Sequence, residues 1–202
     1  MKPDPFIGVL SGLGREISPG QEANLRRYMS WLATEAIPAG AIGPGELDRL
    51  WDRHLIDSIL FLQGWEGDRD PKTIWDLGSG AGLPGIPLAI LLPDTRLRLI
   101  DRAGRRTDLM ERAVRVLNLS NVSVDRVDLE DLTGRSQMIV SRATLSPEKL
   151  GPLARKHLEP DGVVVLGGSW VNRPRKVPAG WEIKEIFPDS LDRTVWLLIM
   201  RG

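Results

Sequence analysis

The residues best placed to do chemistry stand in one run, Trp75-Asp76-Leu77-Gly78-Ser79-Gly80-Ala81-Gly82-Leu83-Pro84-Gly85. A short strand, Ile74 to Leu77, leads into it, and a helical stretch over 84–92 leaves it. Glycines at a strand-to-helix turn let a ligand approach the backbone without a Cβ in the way. Two cofactors use such turns. Gly80, Gly82 and Gly85 match the G-x-G-x-x-G spacing of dinucleotide sites. That motif should begin as the strand ends, at Gly78, and its third glycine would then fall on Leu83. Pro84 also lies where free helix amides should meet a pyrophosphate. Asp76, Gly78, Gly80 and Gly82 instead fit the acid-x-Gly-x-Gly-x-Gly turn of S-adenosylmethionine sites, where a carboxylate suits the cofactor's cationic amino group. Asp101 closes the next strand, where an acid can accept both ribose hydroxyls. The bland alternative is a tight turn with no ligand, and the acid at each strand end weighs against it.

Other candidates carry two readings each. Asp128-Leu129-Glu130-Asp131-Leu132 follows the third strand, where an apolar–acidic pair could grip an adenine ring and its amine. It could equally be an acidic helix start. Arg142 ends the fourth strand and could position cofactor or target, or form a surface ion pair. His54 could stack on a base or be a satisfied interdomain histidine, and Trp170 is a further candidate for stacking.

The elements that must hold these residues follow from periodicity. Ser18-Pro19-Gly20-Gln21 starts a helix with a capping box, and Leu25, Tyr28, Met29, Leu32 and Ala36 form its apolar face. Residues 38–45 are a loop. A second helix is expected over 46–62, with Leu47, Leu50, Trp51, Leu55, Ile59 and Leu62 on one face. Residues 1–70 therefore read as a helical cap, and 71–202 as one cofactor domain. Further strands are expected at 97–100, 122–124, 138–141, 163–166, 181–187 and 194–200. Helices are expected at 103–118, with Leu109, Ala113, Val116 and Leu117 inward, and at 147–158. Alternation of strand and helix predicts an α/β fold with a mostly parallel sheet. The last two strands lack a helix between them, which predicts one antiparallel strand among seven.

Composition narrows the chemistry. The 202 residues hold no cysteine and two histidines, so disulfides, thiolate sites, a thiol nucleophile and a His-rich metal centre are not expected. No stretch approaches the ~18 apolar residues of a membrane span, and the first residues lack a signal-peptide pattern. The expectation is a soluble cytoplasmic protein, without metal or membrane, acting as a monomer. The formal net charge is zero, with 27 Lys+Arg against 27 Asp+Glu. That zero is a cancellation: residues 96–126 carry eight arginines against four acids, and residues 1–95 net −5. Arg102, Arg105, Arg106, Arg112 and Arg115 cluster on one predicted helix, either as phosphate contacts or as a solvated face with i,i+4 pairs.

Four segments resemble one family. Gly78-Ser79-Gly80-Ala81-Gly82-Leu83-Pro84-Gly85-Ile86-Pro87, Arg53-His54-Leu55-Ile56-Asp57-Ser58, Asp101 with Gly104-Arg105-Arg106, and Val140-Ser141-Arg142-Ala143 are similar to the signatures of bacterial small-subunit ribosomal RNA guanine-N7 methyltransferases, once called glucose-inhibited division protein B. The resemblance implies a class I S-adenosylmethionine-dependent methyltransferase fold of Rossmann-like type. It implies cofactor contacts at Gly78, Leu83, Leu129, Glu130 and Arg142, and Arg53 and His54 at the junction of cap and cofactor domain. It also implies a guanine of 16S ribosomal RNA, free or in the small ribosomal subunit, as target. Asp76, Gly80, Gly82 and Asp101 complete the expected cofactor set, and Arg53, His54, Arg105 and Arg106 are the expected substrate contacts. The chain departs from the family pattern at Gly40-Ala41-Ile42, Gly167-Gly168 and Arg193-Thr194, all on the expected substrate side. A paralogue acting on another RNA, a protein or a small molecule is the alternative. Guanine N7 carries a lone pair and no proton, so its methylation needs no general base, which suits a chain without cysteine.

Overall fold

The computed structural model describes residues 5–168, 177–188 and 191–202. Trp170, the sequence candidate for base stacking, lies outside them. The chain opens with α1 (Pro5–Gly12) and α2 (Pro19–Trp31), and α2 runs on into a π-helical turn, Leu32–Ala36. Ser18 caps α2 as its sequence predicts: its Oγ accepts the Gln21 amide, and the Gln21 side chain accepts the Ser18 amide. The Gln21 amide nitrogen also donates to the carbonyls of Ile90 and Leu91, so one side chain serves two helix ends.

The expected regular helix over 46–62 is absent. In its place stand a 3-10 segment (Pro44–Arg49), a π-helical segment (Leu50–Ile56), the single turn α3 (Asp57–Leu60) and a second 3-10 segment (Phe61–Gly64). Changing the winding changes which side chains share a face. Leu50, Leu55, Ile59 and Leu62 are buried as expected, whereas Leu47 is 50% and Trp51 37% exposed. Trp51 stacks on Phe6 of α1 at 5.6 Å between ring centroids, a partner supplied by a helix the sequence reading did not place.

Seven strands follow: β1 (Thr73–Leu77), β2 (Arg96–Asp101), β3 (Val122–Arg126), β4 (Ser136–Arg142), β5 (Leu158–Gly167), β6 (Glu182–Ile186) and β7 (Val195–Arg201). Between them lie α4 (Gly85–Leu91), α5 (Gly104–Leu117) and α6 (Pro147–His157). The sheet order is β3-β2-β1-β4-β5-β7-β6, and β7 alone runs against the rest, as the sequence predicts. Alternate residues of each strand feed opposite layers. Ile74, Met138 and Val140 join α1, α2, α4 and α5 in one apolar cluster. Trp75, Leu77 and Ile139 join α6 residues Leu150 and Ala154 in the other. On α5 the buried stripe is Thr107, Met110, Ala113 and Leu117, flanked by Leu109. Val116 falls off that stripe and is 48% exposed, contrary to expectation. Among the described residues, no helix is long and apolar enough to cross a membrane.

Candidate functional site

Strand order reverses between β1 and β4, and the helices after those strands, α4 and α6, pack into the two different apolar clusters. Ligands of open α/β sheets bind in the crevice at that point, beyond the carboxyl ends of the strands. A cleft of about 880 Å³ lies there. Gly78 after β1, Asp101 at the end of β2, Leu129 and Glu130 after β3, and Ala143 and Thr144 after β4 line it, together with Leu145 and Leu153. Arg102 and Arg106 stand at its edge.

The glycine turn is stitched to β2. Gly78 and Ser79 amides donate to the Ile100 carbonyl at 2.8 and 3.1 Å, and the buried Ser79 hydroxyl accepts the Ile100 amide. From α2, the fully buried Tyr28 hydroxyl donates to the Ala81 carbonyl. The turn's glycines do different jobs. A Cβ on Gly78 would strike Thr144, on Gly82 the side chain of Ile86, and on Gly85 the side chains of Leu99 and Asp76. Gly80 has φ +63° and open space where its Cβ would point, the nearest atom being the Gly78 carbonyl at 3.9 Å. It presents bare backbone to the open side.

Asp101 Oδ2 accepts the Gly80 amide at 3.1 Å and Oδ1 the Ala103 amide at 2.9 Å. A carboxylate has about four acceptor positions, so capacity remains toward the cleft. Arg106 approaches the same oxygen at 3.5 Å. This makes Arg106 a cleft residue, whereas Arg105 is exposed on α5 and outside the cleft wall. Asp76 is fully buried beneath the turn and does not line the cleft. Its Oδ2 accepts the Gly85 amide at 2.9 Å, and its Oδ1 has no partner among the described residues. Burial pushes this carboxyl up to about 7, against the pull of the Gly85 hydrogen bond. Leu83 is likewise buried, ahead of the cis Pro84.

Arg142, Arg53 and His54 come together in a second pocket of about 160 Å³, with Glu46, Asp57 and Gly168. Ala143 lines both cavities. Arg142 donates to His54 Nδ1 at 3.0 Å and to the Arg53 carbonyl at 3.4 Å. A guanidinium only donates, so Nδ1 is the acceptor and Nε2 carries the proton, which goes to Glu46 Oε2 at 3.1 Å. Burial, then the Arg142 charge, lowers His54 to about 4, against the pull of Glu46. Arg193, the residue left from an altered family pair, donates to Asp57 Oδ1 at 2.5 Å and to the Asp52 carbonyl at 2.7 Å. Glu46, Asp57, Tyr28 and Thr144 were not among the sequence candidates. Asp57 had a signal, since it stands in the Arg53–Ser58 motif, and Tyr28 is the chain's one tyrosine.

Residues 21–172 match the model of the GidB family, described as rRNA small subunit methyltransferase G. This chain belongs to that family. The "Ribosomal RNA small subunit methyltransferase G" of Acidothermus cellulolyticus is 36% identical over 139 residues, covering 69% of this chain and 61% of the relative. That of a Nocardioides species is 40% identical over 141 residues, covering 69% and 55%. The match thus spans 61% and 55% of these relatives' length, less than two thirds of either. A ribosomal protein L11 methylase from Lactobacillus delbrueckii subsp. bulgaricus superposes with a TM-score of 0.55 at 18% identity, covering 74% of this chain and 79% of that one. The fold is accordingly that of the class I methyltransferases.

The cleft suits the family's cofactor. Asp101 offers acceptors for ribose hydroxyls, Leu129, Leu145 and Leu153 offer apolar faces for a purine, and Gly78 brings bare backbone to the wall. Gly80 and Gly82, expected with them from the sequence, do not line the cleft: Gly80 stands next to it on Asp101, and Gly82 is buried against Ile86.

Proposed function

We propose that this chain is an S-adenosylmethionine-dependent methyltransferase acting on N7 of a guanine in 16S ribosomal RNA. The observation that carries the reading is the cleft at the sheet's reversal point, lined by Gly78 and by Asp101, whose carboxylate also accepts the amide of Gly80, the turn glycine with an open Cβ direction. The relatives' names supply the nucleic acid. When bound, S-adenosylmethionine supplies an electrophilic methyl group on a sulfonium. The protein's work is to hold donor and acceptor in line and exclude water. Gly78, Asp101, Leu129 and Glu130 hold the donor, with Gly80 beside them on Asp101, while Asp76, Gly82 and Leu83 shape the turn from beneath. Arg142 acts from the second pocket by orienting His54. With N7 already bearing a lone pair, neutral His54 need not take a proton.

The same reading assigns residues 1–70 to a cap and 71–202 to the cofactor domain, and takes the protein as a cytoplasmic monomer. Arg102 and Arg105, exposed beside the cleft, supply phosphate contacts for a structured RNA. The test is transfer of a labelled methyl group to 16S RNA and to small subunits lacking the mark, with the acceptor nucleotide mapped. Label on guanine N7 supports the reading. Label on another base, or on protein, replaces the target. No label on either substrate overturns the activity.

A further inference from the structure

The second pocket has a chemistry that methyl-donor binding does not use. Its Glu46 is partly exposed, with one carboxylate oxygen bound by His54. The other oxygen lies 3.7 Å from both Arg49 and Arg53, beyond hydrogen-bond distance, so its acceptor positions are open. The pocket is small, partly apolar along Ala143, and lined by the cations Arg53 and Arg142.

We infer that Glu46 reads the target base in this pocket, accepting from the N1–H and N2–H groups that guanine alone among the RNA bases places side by side. Single-stranded RNA is recognised in this way, by unstacked bases hydrogen-bonded on their Watson–Crick edges. A carboxylate facing that edge rejects adenine, whose N1 is an acceptor, and cytosine and uracil, whose N3 or O2 repel it. Placement fits the reaction as well. His54 binds Glu46 through Nε2 and Arg142 through Nδ1, so Glu46 lies across the imidazole ring from Arg142. Ala143, the next residue, borders the donor cleft. In guanine, N7 lies across the purine from the N1–N2 edge. A guanine held by Glu46 therefore turns N7 toward the cleft. Arg142 fixes the His54 tautomer so that His54 donates to Glu46, which keeps that carboxylate aimed.

The inference rests on the proposed methylation of guanine but is tested separately from it. With S-adenosylhomocysteine present, the single-stranded RNA UUGUU and its inosine counterpart UUIUU, which lacks only the N2 amine, are titrated into the wild type and into Glu46→Gln. The glutamine still accepts from His54, and its thermal midpoint establishes that it folds. Loss of one well-aimed base hydrogen bond weakens binding on the order of tenfold. The wild type should prefer UUGUU by about that factor, and Glu46→Gln should bind both RNAs alike. Arg105→Gln serves as a comparison and should weaken both equally. Equal binding of the two RNAs by the wild type, or an unchanged preference in Glu46→Gln, overturns the inference even if the protein methylates ribosomal RNA. A preference that Glu46→Gln abolishes supports it even if no methyl group is transferred to 16S RNA.

Discussion

The Tyr28 hydroxyl donates to the Ala81 carbonyl at 2.8 Å, which ties helix α2 to the glycine turn across 53 residues of sequence. Tyr28→Phe keeps the ring and leaves a buried carbonyl unpaired. The expected cost is about 1–3 kcal/mol, read as a lower urea midpoint. The turn should also bind S-adenosylhomocysteine less tightly. Binding unchanged despite lost stability would separate helix α2 from the cofactor site.

Gly80 and Gly82 should fail in different ways. Gly80→Leu places a side chain in open space in a left-handed conformation, at a folding cost of about 1–2 kcal/mol. S-adenosylhomocysteine binding should be abolished while the protein remains folded. In Gly82→Ala the new methyl meets the Ile86 side chain in the core, so the main loss is stability. Circular dichroism melts and calorimetric titration of the two variants distinguish these outcomes.

Much of this was legible beforehand. The strands are short apolar runs bounded by glycine and polar residues, so each could be placed to within a few positions, and the turn's glycines announced themselves. The segment 44–64 was not legible. Its Leu47 and Trp51 have helical spacing, but the local winding and the cover from Phe6 depend on tertiary contacts that spacing does not encode. Arg142 illustrates the same limit at the site: its partner His54 is 88 residues away, and the pairing puts Arg142 in the second pocket and outside the wall of the donor cleft.

Two buried groups give opposed pH dependences. Asp76 titrates at an ordinary 3.8 when unfolded and at about 7 when folded, so between those values the folded chain binds more protons and stability falls as pH rises. His54 moves from 6.5 down to about 4, so the folded chain binds fewer protons there and stability rises with pH. Urea denaturation between about pH 4 and about pH 8 should show the falling component lost in Asp76→Asn and the rising one lost in His54→Asn. Parallel curves for wild type and Asp76→Asn would refute the first assignment.

Arg105 and Arg106 are neighbours with separate expected effects. Arg106 touches the Asp101 carboxylate at the cleft, so Arg106→Gln should alter S-adenosylhomocysteine affinity. Arg105→Gln should leave it unchanged, while the slope of log affinity for RNA against log salt falls by about one. Equal loss of cofactor affinity in both would erase the division between the two.

Arg193 holds Asp57, a carboxyl that burial raises and that Arg193 pulls back. Arg193→Met should destabilise by about 1–3 kcal/mol, discounted for the partial exposure of the pair. Adding Asp57→Asn should recover part of that loss, and a double-mutant cycle on urea midpoints measures how much.

The place of β7 has a consequence for synthesis. It lies between β5 and β6, pairing with both, although both precede it in the chain. A nascent chain that has reached Ile186 therefore holds β6 with no sheet partner and β5 with one open edge. Both stay open until Val195–Arg201 leaves the ribosome and slots between them. Unpaired edges of this kind are templates for pairing with other chains. The donor cleft, framed by β1 to β4, is made from residues translated well before that last strand arrives, so the ligand-binding half precedes the half that keeps the sheet from sticking to its neighbours.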